Sequence, residues 1–429
     1  MIGNRYLERA GGKVQVRILI TTQVFLPEIH PTARIVWELA RALSGAGHSV
    51  TVATGYPHHP HGRILGGYRK KWILRETVDG VRAVRGWHFT STSNAIMARG
   101  FVYLSQTIGT AIAALADEPP EVVVNFGPPL VGPAVSALLA GRVGARHIPV
   151  IYDLYPDVAI ETGAINNHLL IRAANELERW IYRRSDRIVV LSEGFRRTLV
   201  ESKGVPEEKV RVIPVWLDLD EIQRSQDPLA WRREHGIPED SFVVLYAGTI
   251  GIVSGAEVLV DVARRFSGDP GVVFLFVGEG RAKERIREEG EGLPNLRFFG
   301  FQAREALAGM LSSADVGIMT LLAGRGRTSV PSKILGYMAV SVPVVASCDP
   351  DSDSAQLIRD AGCGTVVPPA DALAISDALR KLKLDTAACR QAGRNGRAYL
   401  EQHLSRESGT KAFLSVISEL TVPASNNPS

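Results

Sequence analysis

The residues best suited to chemistry lie in loops that follow short apolar runs. Arg325-Gly326-Arg327-Thr328-Ser329-Val330-Pro331-Ser332-Lys333 is a cationic, glycine-containing loop leading into a helical pattern at Ile334 to Ala339. Pro331 suits a helix start, and the first N–H groups of a helix have no partner within it. Two arginines, a lysine and the positive end of a helix make an anion site of the kind a phosphate takes. A solvated basic loop is the plainer alternative, and the anion site is preferred to it. Ala247-Gly248-Thr249-Ile250-Gly251 and Gly278-Glu279-Gly280 each follow a β-branched, aromatic run, and Phe299-Gly300-Phe301 does so a third time. Glycine lets backbone approach a ligand closely, and a base could lie against the third segment. Taken singly, each is also an ordinary glycine turn.

The first half offers a different set. Asn125-Phe126-Gly127-Pro128-Pro129 and Asp153-Leu154-Tyr155-Pro156-Asp157 follow apolar runs directly. Asp153 at such a place could orient a sugar hydroxyl or move a proton, or simply form a turn. The loop Gln23 to Pro31 leads into a helix at Thr32 whose N-terminus suits a phosphate or carboxylate, but a plain βα loop with Pro31-Thr32 starting the helix is preferred there. It has no glycine, so it is no dinucleotide fingerprint. Pro57-His58-His59-Pro60-His61-Gly62 brings three histidines together. A surface turn is preferred there to a metal site, because no Cys, Asp or Glu lies nearby to complete one. No metal is expected.

The elements that must position these loops alternate in type. QVRILITT (15–22) reads as a buried strand, Thr32 to Leu43 as a helix with one apolar face, and His48 to Ala53 as a second strand. Strand, crossover helix and strand at this length make a βαβ unit with parallel strands. The alternation runs on through the strands Val122 to Asn125, Pro149 to Tyr152, Arg187 to Leu191 and Val210 to Pro214. Asp218 to Asp240 is polar with turn signals and reads as a linker. The alternation then restarts at Phe242, and Ala387 to Leu420 reads as helical throughout. The expected fold is therefore α/β with two doubly wound, Rossmann-like domains facing each other across a cleft. The expected boundaries are 1–217 for the first domain, 218–405 for the second, and 406–429 for a C-terminal helix returning to the first domain and ending in a frayed tail.

Composition limits the function. With 49 Lys and Arg against 45 Asp and Glu in 429 residues, the net charge of +4 is too weak to argue for nucleic acid. Three cysteines, Cys348, Cys363 and Cys389, form neither a disulfide framework nor a paired-ligand motif, which suggests a reducing compartment. No signal-peptide pattern is visible at Met1 to Val14, and the nearest membrane-span candidate, Gly100 to Ala116, is interrupted by Ser105, Gln106 and Thr107. The expected location is cytoplasmic, and a peripheral place on the inner face of the cell membrane is left open. Tyr68 to Trp72, Met97, Arg99, Phe101, Tyr103 and the helix Leu169 to Arg184 give the first domain a basic, aromatic face that suits anionic headgroups and equally suits plain solvation.

These segments resemble the retaining glycosyltransferases of family 4, which have the GT-B fold. The matching pieces in the second half are "AGTIG", "FVGEG", "NLRFFGF", "SADVGIMTLL", "VPSKILGYMAVSVPVVAS" and "DAGCGTVVPPAD". In the first half they are "FLPEIHPTARIVWELARALSGAGHSVTVATGYPHHPHG", "YDLYPDVAIETGAI" and "RRSDRIVVLSEGFRRTL". The resemblance covers about residues 15–420. The first-half pieces are most similar to the subgroup of colanic-acid and N-acetylfucosamine transferases of surface polysaccharides. It implies a nucleotide-sugar donor on the second domain and a lipid-linked sugar or growing polysaccharide as acceptor on the first. It also implies transfer with retention and no metal. The resemblance assigns phosphate contact to Ser332 and Lys333, with Arg325 and Arg327 as physical additions. Base contact falls to Phe299 and Gly300, mostly through backbone, with Gly248, Thr249 and Gly278 beside the donor. Asp153 and Lys333 are the candidates on the catalytic face. The family's Arg and Lys after the first strand of the second domain are absent, the matching places falling near Thr249 and Val253 or Ser254. Its two glutamates before the later helix would fall at Thr328 and Gly336, so neither is acidic. These departures keep two rivals in view: a non-catalytic homologue that binds a partner, and a nucleotide-sugar epimerase on the same fold.

Overall fold

The structure is a computed structural model. It describes residues 15–421 except 29, 60–61, 69–70, 94–95, 128–129, 162–164, 221 and 325–331. The chain divides into two compact units, Met1–Pro214 with Gly409–Ser429, and Val215–Ser408.

The first unit is built on an eight-stranded sheet ordered β3-β4-β2-β1-β5-β6-β7-β8. Its strands are β1 (Arg17–Thr22), β2 (Ser49–Gly55), β3 (Ile73–Val78), β4 (Val81–Gly86), β5 (Val122–Phe126), β6 (Arg146–Ile151), β7 (Ile188–Val190) and β8 (Val210–Val212). Every described pairing is parallel except β3 with β4. Parallel strands are covered by helices on both faces, which is why β5 and all of β1 after Arg17 are buried. The crossover helices used below are α1 (Pro31–Gly45), α2 (Ile96–Leu115) and α3 (Val131–Val143). The β3–β4 hairpin is absent from the sequence expectation. Its turn is Asp79-Gly80, both with positive φ (46° and 81°), the dipeptide that a tight hairpin turn favours. The 20-residue helix α2 takes in the segment read above only as a membrane-span candidate, and no helix among the described residues is long and apolar enough to cross a membrane.

The second unit is built on a six-stranded parallel sheet ordered β11-β10-β9-β12-β13-β14. Its strands are β9 (Phe242–Ala247), β10 (Val272–Val277), β11 (Leu296–Phe299), β12 (Val316–Thr320), β13 (Val344–Ser347) and β14 (Gly364–Val367). Alternate residues of β9 serve opposite cores: Val243, Leu245 and Ala247 one, Val244 and Tyr246 the other. The segment read as a linker is part of this unit instead. Trp231 and Ile237 are buried in its core, and Trp231 stacks on His235 with ring centroids 4.0 Å apart. The buried Arg232 donates to Ser313 O (2.8 Å), Ser241 O (2.8 Å) and Asp315 Oδ2 (2.8 Å). The polar look of 218–240 thus hides one aromatic anchor and one cation that is fully used. The final helical stretch is broken at Leu404 and Ser405 into Thr386–His403 and Arg406–Thr421. In the first unit, Glu419 of the last helix accepts from Arg211 (2.7 Å) and Arg187 (3.1 Å).

Candidate functional site

In the second unit the strand order reverses between β9 and β12, and the loops beyond their carboxyl ends flank that switch point. The loop after β9 pairs with the loop after β10 by backbone bonds: Gly248 N donates to Val277 O (2.8 Å) and Ile250 N to Glu279 O (2.9 Å). This close approach explains the glycines. A Cβ at Gly278 would stand 2.0 Å from Gly248 O, and one at Gly280 2.2 Å from Ile250 O. Gly248 (φ 117°), Gly278 (φ 148°) and Gly280 (φ 158°) also hold backbone conformations that side chains oppose. Gly278 N in turn donates to Phe299 O (3.2 Å), so three successive strand ends are laced together.

Lys333, half-buried on the first turn of the helix Ser332–Ala339, stands over this lattice. Its Nζ donates to the Tyr246 hydroxyl (2.8 Å) and lies 3.9 Å from the centre of that ring. The Tyr246 hydroxyl donates to Thr249 O (2.9 Å). The Lys333 Cε would lie 3.7 Å from a Cβ at Gly248. No carboxylate among the described residues pairs with Lys333, and desolvation pulls its ammonium down to about 8. A cation held without a counter-ion against a strand end is poised for an anionic ligand.

The helix that carries Lys333 is fixed from below by Tyr337. The Tyr337 hydroxyl donates to Leu245 O (2.8 Å) and accepts from Ala247 N (2.9 Å), bonding the helix to β9. Gly317 of β12 makes room for it, since a Cβ there would fall 2.4 Å from the Tyr337 ring. Tyr246 and Tyr337 are the members of this site that sequence reasoning missed, because each looks like ordinary core in an apolar run.

The other sequence candidates divide. Gly248, Thr249, Gly278 and Lys333 come together. Phe299 and Gly300 are near them through backbone, and Gly300 lies beside Glu279, whose Oε1 would be 3.4 Å from an added Cβ. The partly buried Phe299 ring packs against Trp231 (5.1 Å between centroids) and His235 (5.2 Å). Lys283 was not anticipated. It donates to Phe299 O (3.2 Å) and to Glu279 Oε1 (2.7 Å), pinning the same strand ends. Arg325 and Arg327 lie outside the described residues, and Ser332 opens the helix.

The first unit has its own concavity, a cavity of about 530 Å³ at the carboxyl ends of β1, β2, β5 and β6. Here too the order reverses, between β1 and β5. His30, His58, His59, Gly127 and Asp153 are among its lining residues. Asp153 stands open to the cavity, and partial desolvation raises its carboxyl above the usual range. His30 caps α1, its Nδ1 accepting from Thr32 N (3.2 Å), and burial lowers its imidazole below the ordinary value. The histidines are held by Glu28, to which sequence reasoning gave no role within its loop. Its buried carboxylate accepts from His58 N (3.0 Å), His59 N (2.9 Å) and Phe25 N (3.2 Å). That loop turns a carboxylate inward, as a structural loop does. Fully buried Arg85 supports the same rim, donating to Leu26 O and to Gly55 O (3.2 Å). Among the described residues no group of three or more His, Cys, Asp or Glu is placed to hold a metal ion, and His61 lies outside them.

Comparison with known proteins follows the two units. Residues 32–216 match the glycosyl transferase 4-like domain, and residues 228–399 match glycosyl transferases group 1. A protein of Escherichia coli (strain K12) named as a colanic acid biosynthesis glycosyl transferase, WcaI, is 24% identical over 94% of this chain and 100% of its own. Sucrose-phosphate synthase from Thermosynechococcus elongatus superposes with a TM-score of 0.69 at 18% identity, covering 95% of this chain and 99% of the other. Anabaena HepE, solved in complex with UDP-glucose, does so with a TM-score of 0.64 at 15% identity, covering 94% and 100%. Both halves and the glycine-laced strand ends thus agree on one assignment, and the chain belongs to the family 4 glycosyltransferases, with the GT-B fold.

Proposed function

We propose that this enzyme moves a sugar, with retention, from a nucleotide-sugar donor to a lipid-linked saccharide or polysaccharide acceptor in surface polysaccharide biosynthesis. The donor belongs to the second unit and the acceptor to the cavity of the first. The observation that carries the reading is Lys333, an ammonium with no carboxylate partner among the described residues, anchored on Tyr246 where two strand ends are stripped to glycine backbone. As the bond to the anomeric carbon breaks, negative charge grows on the nucleoside diphosphate. A fixed cation and the first-turn N–H groups of the helix Ser332–Ala339 are arranged to stabilise that charge. Ser332 lies beside Lys333 for the same phosphates, and Arg325 and Arg327 add charge to the loop. Phe299 and Gly300 would meet the base through backbone alone. In the cavity, Asp153 with its raised carboxyl is suited to orient an acceptor hydroxyl or share its proton. Relatives named for colanic acid biosynthesis and for O-antigen chain mannosyl transfer support the polysaccharide setting. A lipid-linked acceptor brings peripheral contact with an anionic membrane.

The test is thermal titration with UDP-, GDP-, ADP- and dTDP-sugars, beside a Lys333→Ala variant. A ligand bound only by the native state raises the melting temperature by mass action. Stabilisation by donors of one base, lost in Lys333→Ala, is the expected result. No stabilisation by any donor would sink the reading in favour of a non-catalytic homologue. Conversion of donor without an acceptor would move it to an epimerase.

A further inference from the structure

The surface of the first unit carries a feature that sugar transfer does not use. On α2, Phe101, Leu104, Ile108, Ile112 and Leu115 are between 46% and 58% exposed. Their spacing of three or four residues places them on one helical stripe. Arg99 is the only charged residue in the helix sequence. The helix cannot turn this stripe inward. Gly86 and Gly109 bring its backbone against the end of β4, where a Cβ on Gly86 would stand 1.9 Å from Gly109 O and one on Gly109 2.2 Å from Trp87 O. Exposed aromatics continue the patch at that end. Trp72 and Trp87 meet edge to face with centroids 5.2 Å apart, and Phe89 meets Phe101 in the same way at 5.2 Å.

We propose that this stripe and its aromatic end seat the protein on the surface of an anionic lipid bilayer, α2 lying in the plane of the interface. An apolar stripe of this width next to tryptophans is the geometry of an interfacial helix, whose aliphatic residues enter the acyl boundary while indole rings stay at headgroup level. Charge selects the occupant. The first unit carries 27 Lys and Arg against 19 Asp and Glu, a net of +8, whereas the second is at −4, from 22 against 26. Lys71 is exposed beside Trp72. Just past the last turn of α2, Arg75 donates to Ala116 O, and Arg82 is ion-paired with Asp117. Exposed cations beside the apolar stripe, Lys71 and Arg75, in a unit of net positive charge complement anionic headgroups. A second copy seated face to face would instead set those cations against themselves. The inference deepens the lipid-linked acceptor reading by naming the surface, yet its test needs no sugar transfer.

The experiment is co-sedimentation of the full chain with vesicles of phosphatidylcholine alone and with 30% phosphatidylglycerol, at about 0.1 M salt. The variant is Phe101→Ser with Ile108→Ser and Ile112→Ser, and its melting temperature and donor titration report that it is folded. A second variant, Ile108→Ser alone, serves if the triple variant does not fold. The expected result is binding to the anionic vesicles, weakened at least tenfold in the triple variant and severalfold in Ile108→Ser, with donor titration unchanged. Absence of wild-type binding would overturn the proposal. So would anionic binding that neither variant weakens, which would be headgroup attraction without the stripe. A wild-type dimer in sedimentation that the variants dissociate, without vesicle binding, would assign the stripe to a second copy. Loss of donor stabilisation with vesicle binding intact would overturn the transferase reading and leave this one standing.

Discussion

The Lys333 ammonium donates to the Tyr246 hydroxyl at 2.8 Å, and that hydroxyl donates onward to Thr249 O at 2.9 Å. A residue on a helix start, a residue within a strand and the loop that follows the strand are joined in one chain of bonds. Tyr246→Phe keeps the ring under Lys333 and removes the relay. It should lower stability by about 1 kcal/mol and weaken donor binding several-fold, read by thermal unfolding and calorimetric titration. Unchanged donor affinity would show that the hydroxyl does not set the position of Lys333.

Lys333 predicts a pH dependence with a definite sign. Its folded value is about 8 against an ordinary 10.5, so between those values the unfolded chain holds the extra proton. Stability contributed by this group therefore rises with pH across about pH 8 to 10.5, and the burial penalty is fully present below pH 8. Lys333→Met should melt higher than wild type at pH 7, an advantage that shrinks by pH 10. Donor binding should move in the other direction. Wild-type affinity should fall as pH rises through about 8, because the diphosphate needs the charged form. Lys333→Met should show weak binding with no such fall.

The glycine lattice makes a prediction about stability alone. Gly278→Ala sets a Cβ 2.0 Å from Gly248 O at a φ of 148°. The cost should be on the order of 2–4 kcal/mol, read in denaturant unfolding. Gly268→Ala, with nothing within 4 Å of the new Cβ, should stay within about 0.5 kcal/mol of wild type.

Glu28 predicts a split between the two units. Glu28→Gln retains the shape of the side chain but removes the charge that gathers three backbone N–H groups. Its effect should fall on acceptor use, with KM for acceptor raised or kcat lowered roughly tenfold, while nucleotide affinity stays at the wild-type value. Equal loss of nucleotide binding would show that the rim is not private to the first unit.

Much of this architecture is written in residue order. The buried strands announce themselves as apolar runs such as Phe242 to Ala247, and the glycines at Gly248, Gly278 and Gly280 mark the places where strand ends must touch. What stayed hidden has physical reasons. In the β3–β4 hairpin the edge strand β3 is half-exposed and the buried β4 is interrupted by Arg82 and Arg85, so no apolar run betrays it, and its signal was only Asp79-Gly80. Phe299 was legible as a strand end, but the direction of its ring depends on Trp231, more than sixty residues earlier in a segment that reads as a linker. Tyr246 carries its one polar atom at the tip of an otherwise apolar strand residue. Neighbouring sequence gives no hint that this tip meets a lysine 87 residues away.

The contact of Gly86 with Gly109 has a colloidal consequence. Because the crossing leaves no volume for a side chain, α2 cannot roll about its axis to conceal its outer row of apolar residues. The adhesive face is therefore permanent, present from the moment the domain folds. Preparations of this protein should grow cloudier with concentration and clear with mild detergent, and the remedy would be a change on the outer row, never a change at the glycines.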